Sequence, residues 1–397
     1  MAWEQVVSIT ALVLAVAAVI VGLVLLRKIS ERGQRVPGLV GAPPVVEEDR
    51  TPPGPPAFVI NPVKTSDADA VRRLAQDACA ELGLPEPLWF ETTVEDPGRG
   101  QALEALAQGA SVVVAAGGDG TVRAVGSALA GSRVPMGLLP LGTGNLLARN
   151  LDLPVDGTRA LIHTALTGAD HAIDLGWIRP ERLRPVEEDA GVEDAEHSDT
   201  AHADRRPGAE GKRPKDVLGE QEEHLFLVMG GVGFDAAMVA GADDDLKAKM
   251  GWLAYFVAGA QHLHSRRIRL RMELGDAAPQ NLKLRSLLFA NCGRLPGGIV
   301  LLPDAELDDG WLDVAAIDTR GGLIGWASLF GKVILQGIGV RRQLPASPGS
   351  IEFWRAKDIT VRCDRPEPVQ VDGDLIGEAV GLTVRIQPGG LLVRTKS

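Results

Sequence analysis

The chain has 397 residues, of which 45% are hydrophobic and 23% charged, and its formal net charge is −11 at pH 7. These values are typical of globular proteins and exclude both a wholly disordered chain and a small disulfide-stapled fold. The acidic balance argues against a DNA-coating protein, so no nucleic-acid partner is predicted. The three cysteines stand far apart without a CxxC pair, which predicts a reducing compartment and neither a zinc site nor a disulfide framework.

The first predicted element is a membrane anchor. Residues 6–26 carry no charge, and 21 helical residues at about 1.5 Å each span roughly 30 Å, the thickness of a bilayer core. Four basic residues follow directly: Arg27, Lys28, Arg32 and Arg35. The positive-inside rule then places the rest of the chain in the cytoplasm, whereas a cleaved signal peptide carries its positive charge ahead of the apolar run. We therefore expect a single-pass cell-membrane protein with a transmembrane anchor at residues 1–30.

An α/β domain is predicted after a linker. Residues 31–56 contain seven prolines and no apolar periodicity, which predicts an extended, semi-rigid tether. Over residues 57–165, apolar runs alternate with segments of helical period, which predicts βαβ units and a mostly parallel sheet. The first helix is expected to be capped by Ser66 and to stop at Gly83, and the second to open at Asp96–Pro97. The predicted strands are 57–60, 88–93, 111–116 and 135–139.

The sequence pattern changes over residues 166–397, where apolar and polar residues alternate in short segments. This pattern predicts an antiparallel β-rich second domain with one helical stretch at about 245–264. In one arrangement that fits the pattern, the last strand returns to the sheet of the first domain. An insertion at 181–223 holds 14 acidic and 7 basic residues and no aromatic residue, so we expect it to be disordered. The predicted fold class is therefore α/β plus β.

Two glycine-rich turns carry the strongest chemical signal. A buried strand runs into the turn Gly117–Thr121 at the start of a helix, and Pro140–Asn145 repeats this arrangement one unit later. Glycines admit close backbone approach, and a helix N-terminus presents free N–H groups, which together suit a phosphate. Both turns would face one crevice at the carboxyl edge of the sheet, which favours a nucleoside triphosphate. An ordinary βα turn with an aspartate cap is the alternative, and otherwise Asp119 is expected to act through Mg²⁺ or ribose.

Two carboxylate clusters lie in the second domain. Carboxylates that are grouped on turns suit a hard cation or a general base. Asp-Gly pairs are also common in hairpin turns, so a purely structural role is the alternative. The clusters comprise Asp304, Glu306, Asp308, Asp309 and Asp313, and then Asp372, Asp374 and Glu378.

These segments together resemble the catalytic domain of the diacylglycerol kinases and the related bacterial lipid kinases and sphingosine kinases. GGDGT and PLGTGN carry the resemblance in the first domain. GGVGFDAAMV, LKAKMGWLAY, the segment from FANCG to DDGWLDV, and VQVDGD follow in the family's order, so the resemblance covers about residues 57–395. It implies an NAD-kinase-like α/β domain that binds ATP, followed by a β-rich domain for the lipid.

The resemblance also implies ligands for ATP and for Mg²⁺. The implied ATP contacts are Asn61, Thr93, the turn Gly117, Gly118, Asp119, Gly120 and Thr121 through Arg123, and Thr143. The implied magnesium ligands are Asp309, which thereby also serves catalysis, and main-chain oxygens near Glu306 and Trp311, with Asp308 and Asp235 in the surrounding water network.

The implied proton acceptor for the lipid hydroxyl is Asp374. The family has a glutamate at this position, so the carboxylate here is one methylene shorter, and Glu378 is the nearby substitute.

The predicted reaction is transfer of the γ-phosphate of ATP to a membrane lipid, with diacylglycerol converted to phosphatidic acid as the first choice. One alternative is a NAD kinase, which also carries GGDGT; the PLGTGN turn, the Asp-Gly-Asp end and the anchor argue against it. The other alternative is a lipid-binding protein with a degenerate kinase site, which the aspartate at 374 supports. The sequence identifies neither the lipid nor the oligomeric state.

Overall fold

The computed structural model describes residues 54–65, 67–154, 157–181, 183, 222–233, 267–294, 302, 304–319 and 349–396. All of these residues belong to one compact unit of the chain. Within these ranges the structure contains a 14-stranded sheet and five α-helices. One half of the sheet is parallel and the other is antiparallel, as the sequence predicted.

Parallel strands in the order β2-β1-β3-β4 build the first half of the sheet. They are β1 (Pro56–Ile60), β2 (Leu88–Glu91), β3 (Val112–Gly117) and β4 (Met136–Pro140). Every residue of β1, β3 and β4 is buried, as expected for parallel strands that are covered by helices on both faces. The carboxyl ends of these strands therefore share one edge of the sheet.

The helices of this half are α1 (Ala68–Glu81), α2 (Arg99–Ala107), α3 (Asp119–Leu129), α4 (Leu146–Asn150) and α5 (Thr158–Thr167). The carboxylate of Asp67 accepts the N–H of Ala70 at 2.7 Å, so Asp67, and not the predicted Ser66, caps α1. The second helix begins later than the predicted Asp96–Pro97, because the Asp96 carboxylate is occupied by the amides of Gly98 and Gly100 in the preceding turn. These differences concern helix boundaries and leave the predicted order of elements unchanged.

The antiparallel half follows the order β12-β11-β10-β7-β13-β14, with β8 and β9 attached to β13, and β5 and β6 attached to β14. In β8, buried Ile268, Leu270 and Met272 alternate with exposed arginines, which is the pattern of a sheet with one face in the core. The strands are β5 (Ala169–Glu181), β6 (His224–Phe226), β7 (Met229–Gly233), β8 (Ile268–Leu274), β9 (Gln280–Leu284), β10 (Ser286–Ala290), β11 (Leu312–Thr319), β12 (Gly349–Ala356), β13 (Asp358–Val371) and β14 (Asp374–Thr395).

The last strand joins the two halves of the sheet. β14 begins antiparallel to β13 and continues antiparallel to β5. Near its end, Val393 lies beside Met136 of β4 in a parallel pair. The hairpin between β13 and β14 is thereby tied to the same sheet that carries the glycine-rich turns.

No helix among the described residues is long and apolar enough to cross a membrane. The predicted anchor at residues 1–30 and the predicted helical stretch at 245–264 lie outside the described residues. The linker at 31–56 and the acidic insertion at 181–223 also lie outside them, apart from a few residues at their ends.

Candidate active site

The first glycine-rich turn joins β3 to α3. Gly117 ends the strand, Gly118 is the cap residue, and α3 starts at Asp119. A Cβ added at Gly117 would lie 2.6 Å from the Cβ of Thr121, so glycine is needed here to leave room for the buried threonine. The first amides of α3 have no partner within the helix, which leaves a partially positive N-terminus at the carboxyl edge of the sheet.

The second glycine-rich turn joins β4 to α4 and is closed by Asn145. The side chain of Asn145 accepts the N–H of Gly142 at 3.0 Å and donates to the Gly142 carbonyl at 2.7 Å. Asn145 is buried with a φ of 49°, in the left-handed region that asparagine tolerates. Thr143 lies between these residues and is exposed. The turn is therefore a closed loop that presents Thr143 to solvent.

The two turns touch each other. A Cβ added at Gly142 would lie 2.7 Å from the Cα of Gly118. The carboxylate of Asp119 accepts the backbone N–H of Asn145 at 3.0 Å and of Leu146 at 2.6 Å, so it ties the start of α3 to the start of α4. Burial raises the pKa of Asp119, and these two hydrogen bonds act against that shift. The structure thus gives Asp119 a bracing contact between the turns, and the predicted Mg²⁺ or ribose contact stays a prediction.

Gly142→Ala is expected to weaken ATP binding about tenfold or more, because the new methyl group would overlap the Gly118 backbone and push the two turns apart. Titration calorimetry with ATP measures the change. Gly126→Ala is the control, since its Cβ would meet only side-chain atoms at 3.4 Å or more and its position well inside α3 is outside the turns. Equal ATP affinity in Gly142→Ala and wild type would show that contact between the turns is not needed for the nucleotide.

The hairpin between β13 and β14 reaches the first turn from the antiparallel half. Asp374, the first residue of β14, forms an ion pair with Arg123 of α3. A second nitrogen of Arg123 donates to the Val371 carbonyl at 3.4 Å. The Oδ2 atom of Asp374 lies 3.7 Å from the position that a Cβ would take at Gly120, while its side chain stays 58% exposed. An accessible carboxylate is therefore held beside the first turn of α3.

Asp372 fixes the same hairpin from the inside. Its φ is 48°, and its carboxylate accepts three backbone N–H groups, from Leu227 (2.8 Å), Val228 (2.9 Å) and Met229 (3.0 Å). Burial raises the pKa of Asp372 to about 6, and these hydrogen bonds act in the opposite direction. The two aspartates of the hairpin therefore differ in environment: Asp372 anchors the turn, and Asp374 is presented to solvent.

A buried polar network extends from this anchor toward residues 304–313, the acidic loop. Asp174 of β5 is buried, and its carboxylate accepts the N–H of Gly310 at 2.6 Å and of Gly389 at 2.7 Å. The wholly buried Asn291 donates to the main-chain oxygens of Asp174, at 2.7 Å, and of Leu227, at 3.1 Å. The segment around Leu227, which holds the hairpin, is thereby connected to the acidic loop through Gly310.

The acidic loop (304–313) leads into β11. The carboxylate of Asp309 forms an ion pair with Arg355 of β12, and its other oxygen accepts the N–H of Trp311 at 3.0 Å. Asp308 faces a different partner, with 3.1 Å between its Oδ2 and the Nε2 of His171. Neighbouring aspartates of this loop are thus directed to separate partners.

Asn61 and Thr93 lie on the carboxyl edge of the sheet. Asn61 follows β1, and its side chain accepts the N–H of Val63 at 3.0 Å. Thr93 follows β2, and its hydroxyl accepts the N–H of Asp96 at 3.1 Å. Because β1 pairs in parallel with both β2 and β3, both residues stand on the same edge as the first glycine-rich turn, where ligands bind in open α/β sheets. Asp235 lies outside the described residues.

Comparison with known protein families identifies both halves of the sheet. Residues 56–178 match the diacylglycerol kinase catalytic domain, and residues 229–395 match the YegS C-terminal NAD kinase beta sandwich-like domain. The chain therefore carries a diacylglycerol kinase catalytic domain followed by a YegS C-terminal domain. The catalytic-domain match contains both glycine-rich turns, and the C-terminal match contains the acidic loop and the hairpin.

Individual proteins that resemble the chain agree with these two domain matches. A Pseudomonas aeruginosa protein named "Probable lipid kinase YegS-like" is 28% identical over 300 residues, which cover 73% of this chain and 78% of that protein. A "Diacylglycerol kinase" of Mycobacterium tuberculosis is 27% identical over 279 residues, covering 68% and 72%. A solved diacylglycerol kinase structure from Bacillus anthracis superposes with a TM-score of 0.60 at 16% identity, covering 88% of this chain and 99% of that one, which supports the fold alone.

The magnesium ligands implied by the family resemblance do not form a metal-binding arrangement among the described residues. No group of three or more His, Cys, Asp and Glu side chains within them could hold a metal ion. Both carboxylate oxygens of Asp309 have protein partners, whereas a hard divalent cation needs carboxylate oxygens of its own. The assignment of Mg²⁺ to Asp309, Glu306, Trp311 and Asp308 therefore stays a sequence prediction, and no catalytic step is assigned through it.

Sequence reasoning missed two contributors to this site, Asp174 and Arg355, and did not give the partner of Arg123. Arg123 stands one helical turn after Gly120, so its place on the ligand-facing side of α3 follows from the spacing, but its partner does not. Asp174 is an acidic residue within an apolar strand, which is itself a signal of a buried, satisfied carboxylate. Arg355 gives no local signal, because only the pairing of β11 with β12 brings it to the acidic loop.

Proposed function

We propose that the protein is an ATP-dependent lipid kinase that transfers the γ-phosphate of ATP to a lipid hydroxyl, with diacylglycerol as the acceptor and phosphatidic acid as the product. The observation that carries this proposal is the position of Asp374. Its exposed carboxylate is held by Arg123 beside the free amides of α3, so a carboxylate that can accept a proton lies next to N–H groups that can bind a phosphate.

The pair of glycine-rich turns supports ATP as the phosphoryl donor. The N-terminus of α3 offers unpaired N–H groups and a partial positive charge to a phosphate. The second turn lies in contact with the first and presents the exposed Thr143. Asn61 and Thr93 stand along the same edge, where the nucleoside would lie. In this proposal Mg²⁺ accompanies ATP as the counter-ion of its phosphates.

Asp374 is a better proton acceptor in this arrangement than Glu378. Asp374 lies opposite Val371 at the start of β14, whereas Glu378 lies opposite Pro368, four residues along the strand. At about 3.3 Å per residue, this separation is roughly 13 Å, which takes Glu378 away from the first turn of α3. Arg123 positions Asp374 and would also balance negative charge on a bound phosphate. Catalysis in this proposal rests on positioning and charge neutralisation, as is general for phosphoryl transfer.

The names of the relatives support a lipid acceptor, and the predicted anchor adds a reason for it. A transmembrane helix at residues 1–30 with cytoplasmic catalytic domains would hold the site next to the bilayer where a diacylglycerol resides. The anchor and the membrane location belong to the proposal on the strength of the sequence.

Comparing acceptors tests the proposed function. Detergent-solubilised full-length protein is incubated with ATP and Mg²⁺ and, in separate reactions, with diacylglycerol, phosphatidylglycerol, a sphingoid base and NAD, and the products are analysed by mass spectrometry. We expect a phosphorylated lipid, with diacylglycerol the best acceptor. Phosphorylated NAD without any phosphorylated lipid would instead assign a NAD kinase, and lipid binding without transfer would assign a non-catalytic lipid-binding protein.

A further inference from the structure

The acidic loop (304–313) is bridged by a guanidinium from the neighbouring strand. Arg355 of β12 lies directly opposite Asp313 of β11 in the antiparallel register, so the strand pairing itself delivers the side chain. The Nη2 atom of Arg355 forms an ion pair with Asp309, and its Nε atom lies 3.5 Å from the Oδ2 atom of Asp313. The guanidinium of Arg355 thus lies between two carboxylates of the loop and pairs with both.

Asp313 depends most on this partner. It is buried, and its Oδ2 atom makes no hydrogen bond to the residues that the structure describes. A buried carboxylate that loses its compensating cation strongly destabilises the folded protein. The loop therefore requires a positive charge next to Asp313.

Trp311 holds the arginine and the loop together. The Cζ atom of Arg355 lies 5.9 Å from the centroid of the Trp311 ring, and the Nζ atom of Lys357 lies 4.9 Å from it. The backbone N–H of Trp311 donates to Asp309 at 3.0 Å. A cation–π contact and a backbone hydrogen bond therefore restrict both members of the Arg355–Asp309 pair.

We propose that Arg355 is the built-in counter-ion of the acidic loop and takes the role that the family resemblance gives to Mg²⁺, so that the loop needs no divalent cation. The planar guanidinium presents several donors in a fixed fork, which suits a bridge between two carboxylates. This role of Arg355 concerns the stability of the loop and does not depend on the proposed reaction. It would hold even if the protein did not phosphorylate a lipid.

Thermal unfolding of the full-length protein, without nucleotide, tests the proposal in EDTA, in Mg²⁺ and in Ca²⁺. The wild-type Tm is expected to agree within about 1 °C in all three conditions. Arg355→Met is expected to lower the Tm in EDTA by about 4 °C or more, because Asp313 and Asp309 lose their cation. Ca²⁺ should then raise the Tm of this variant, since the freed carboxylates can bind it.

Arg271→Met is the matched control, because Arg271 forms an exposed pair with Glu273 at 3.1 Å and its loss should change neither the Tm nor the response to Ca²⁺. A wild-type Tm that rises with either cation would overturn the proposal, and so would an Arg355→Met Tm that responds to neither. If Arg355→Met does not fold, equilibrium dialysis of the wild type against Ca²⁺ decides: bound ion overturns the proposal, and its absence together with a constant Tm supports it.

Discussion

Asp374→Asn is expected to lower the turnover number for lipid phosphorylation by about 10²- to 10⁴-fold, the range that general base catalysis contributes. Asparagine keeps the size of the side chain but cannot accept the proton of the lipid hydroxyl. Asp374 lies on the hairpin and not in the glycine-rich turns, so the KM for ATP should change by only a few fold. Steady-state kinetics with diacylglycerol vesicles measure both quantities.

Two further variants separate the role of Asp374 from a general effect of the hairpin. Glu378→Gln should retain turnover close to that of the wild type, because Glu378 lies farther along β14. Asp374→Glu should retain measurable transfer, since it keeps the carboxylate and restores the residue type that the family resemblance gives to this position. Loss of turnover in Glu378→Gln with normal turnover in Asp374→Asn would move the proton acceptor to Glu378.

Asp372→Ala is expected to lower the free energy of unfolding at pH 5 by about 3 kcal/mol or more. The substitution leaves the amides of Leu227, Val228 and Met229 without their acceptor. The hairpin would then lose its anchor, and Asp374 its position, so transfer should fall as well. Urea unfolding of the solubilised protein at fixed pH measures the change.

Asp364→Ala is the control for this substitution, since Asp364 is an exposed aspartate of the same strand and its loss should stay within about 0.5 kcal/mol. Equal stability of Asp372→Ala and Asp364→Ala would mean that the three hydrogen bonds of Asp372 do not hold the hairpin.

The stability cost of Asp372→Ala should itself depend on pH. The pKa of Asp372 is raised to about 6 in the folded protein, chiefly by burial, from an ordinary value of 3.8. The folded state therefore binds the proton more readily, so this contribution to stability is fully present below pH 4 and is lost as the pH rises through 6. The difference in unfolding free energy between wild type and Asp372→Ala should accordingly shrink from pH 5 to pH 8. A difference that grows over this range would contradict the raised pKa.

The glycine-rich turns could be predicted from the sequence because their signals are local. An apolar run, a cluster of glycines and the start of a helical period stand next to one another at Gly117–Thr121, and the strand–turn–helix unit follows from them. The order of the parallel and antiparallel segments could be predicted for the same reason, because the residues of each strand show by themselves whether one or both of its faces are buried. Only the boundaries of elements moved, by a few residues at the ends of strands and at helix starts such as Asp67, where two neighbouring residues can both cap.

The contacts that assemble the site could not be predicted in this way. Arg123 and Asp374 are 251 residues apart, and no local pattern indicates that they pair. The sequence presents Asp119 as a ligand contact, yet its partners are amides of the next βα unit. Arg355 reaches the acidic loop only through the register of two strands. Side chains that act across the sheet depend on tertiary pairing, which the composition of a segment does not contain.

The activity proposed for this chain is transfer of the γ-phosphate of ATP onto a lipid. Its most direct test is to incubate the full-length protein, in vesicles that contain diacylglycerol, with ATP labelled at the γ-phosphate, and to measure the label that enters the organic phase. We expect label in phosphatidic acid with the wild type, and a loss of this label with Asp374→Asn. Label that remains in ATP or appears only in the aqueous phase, with folded wild-type protein and every lipid supplied, would contradict the claim.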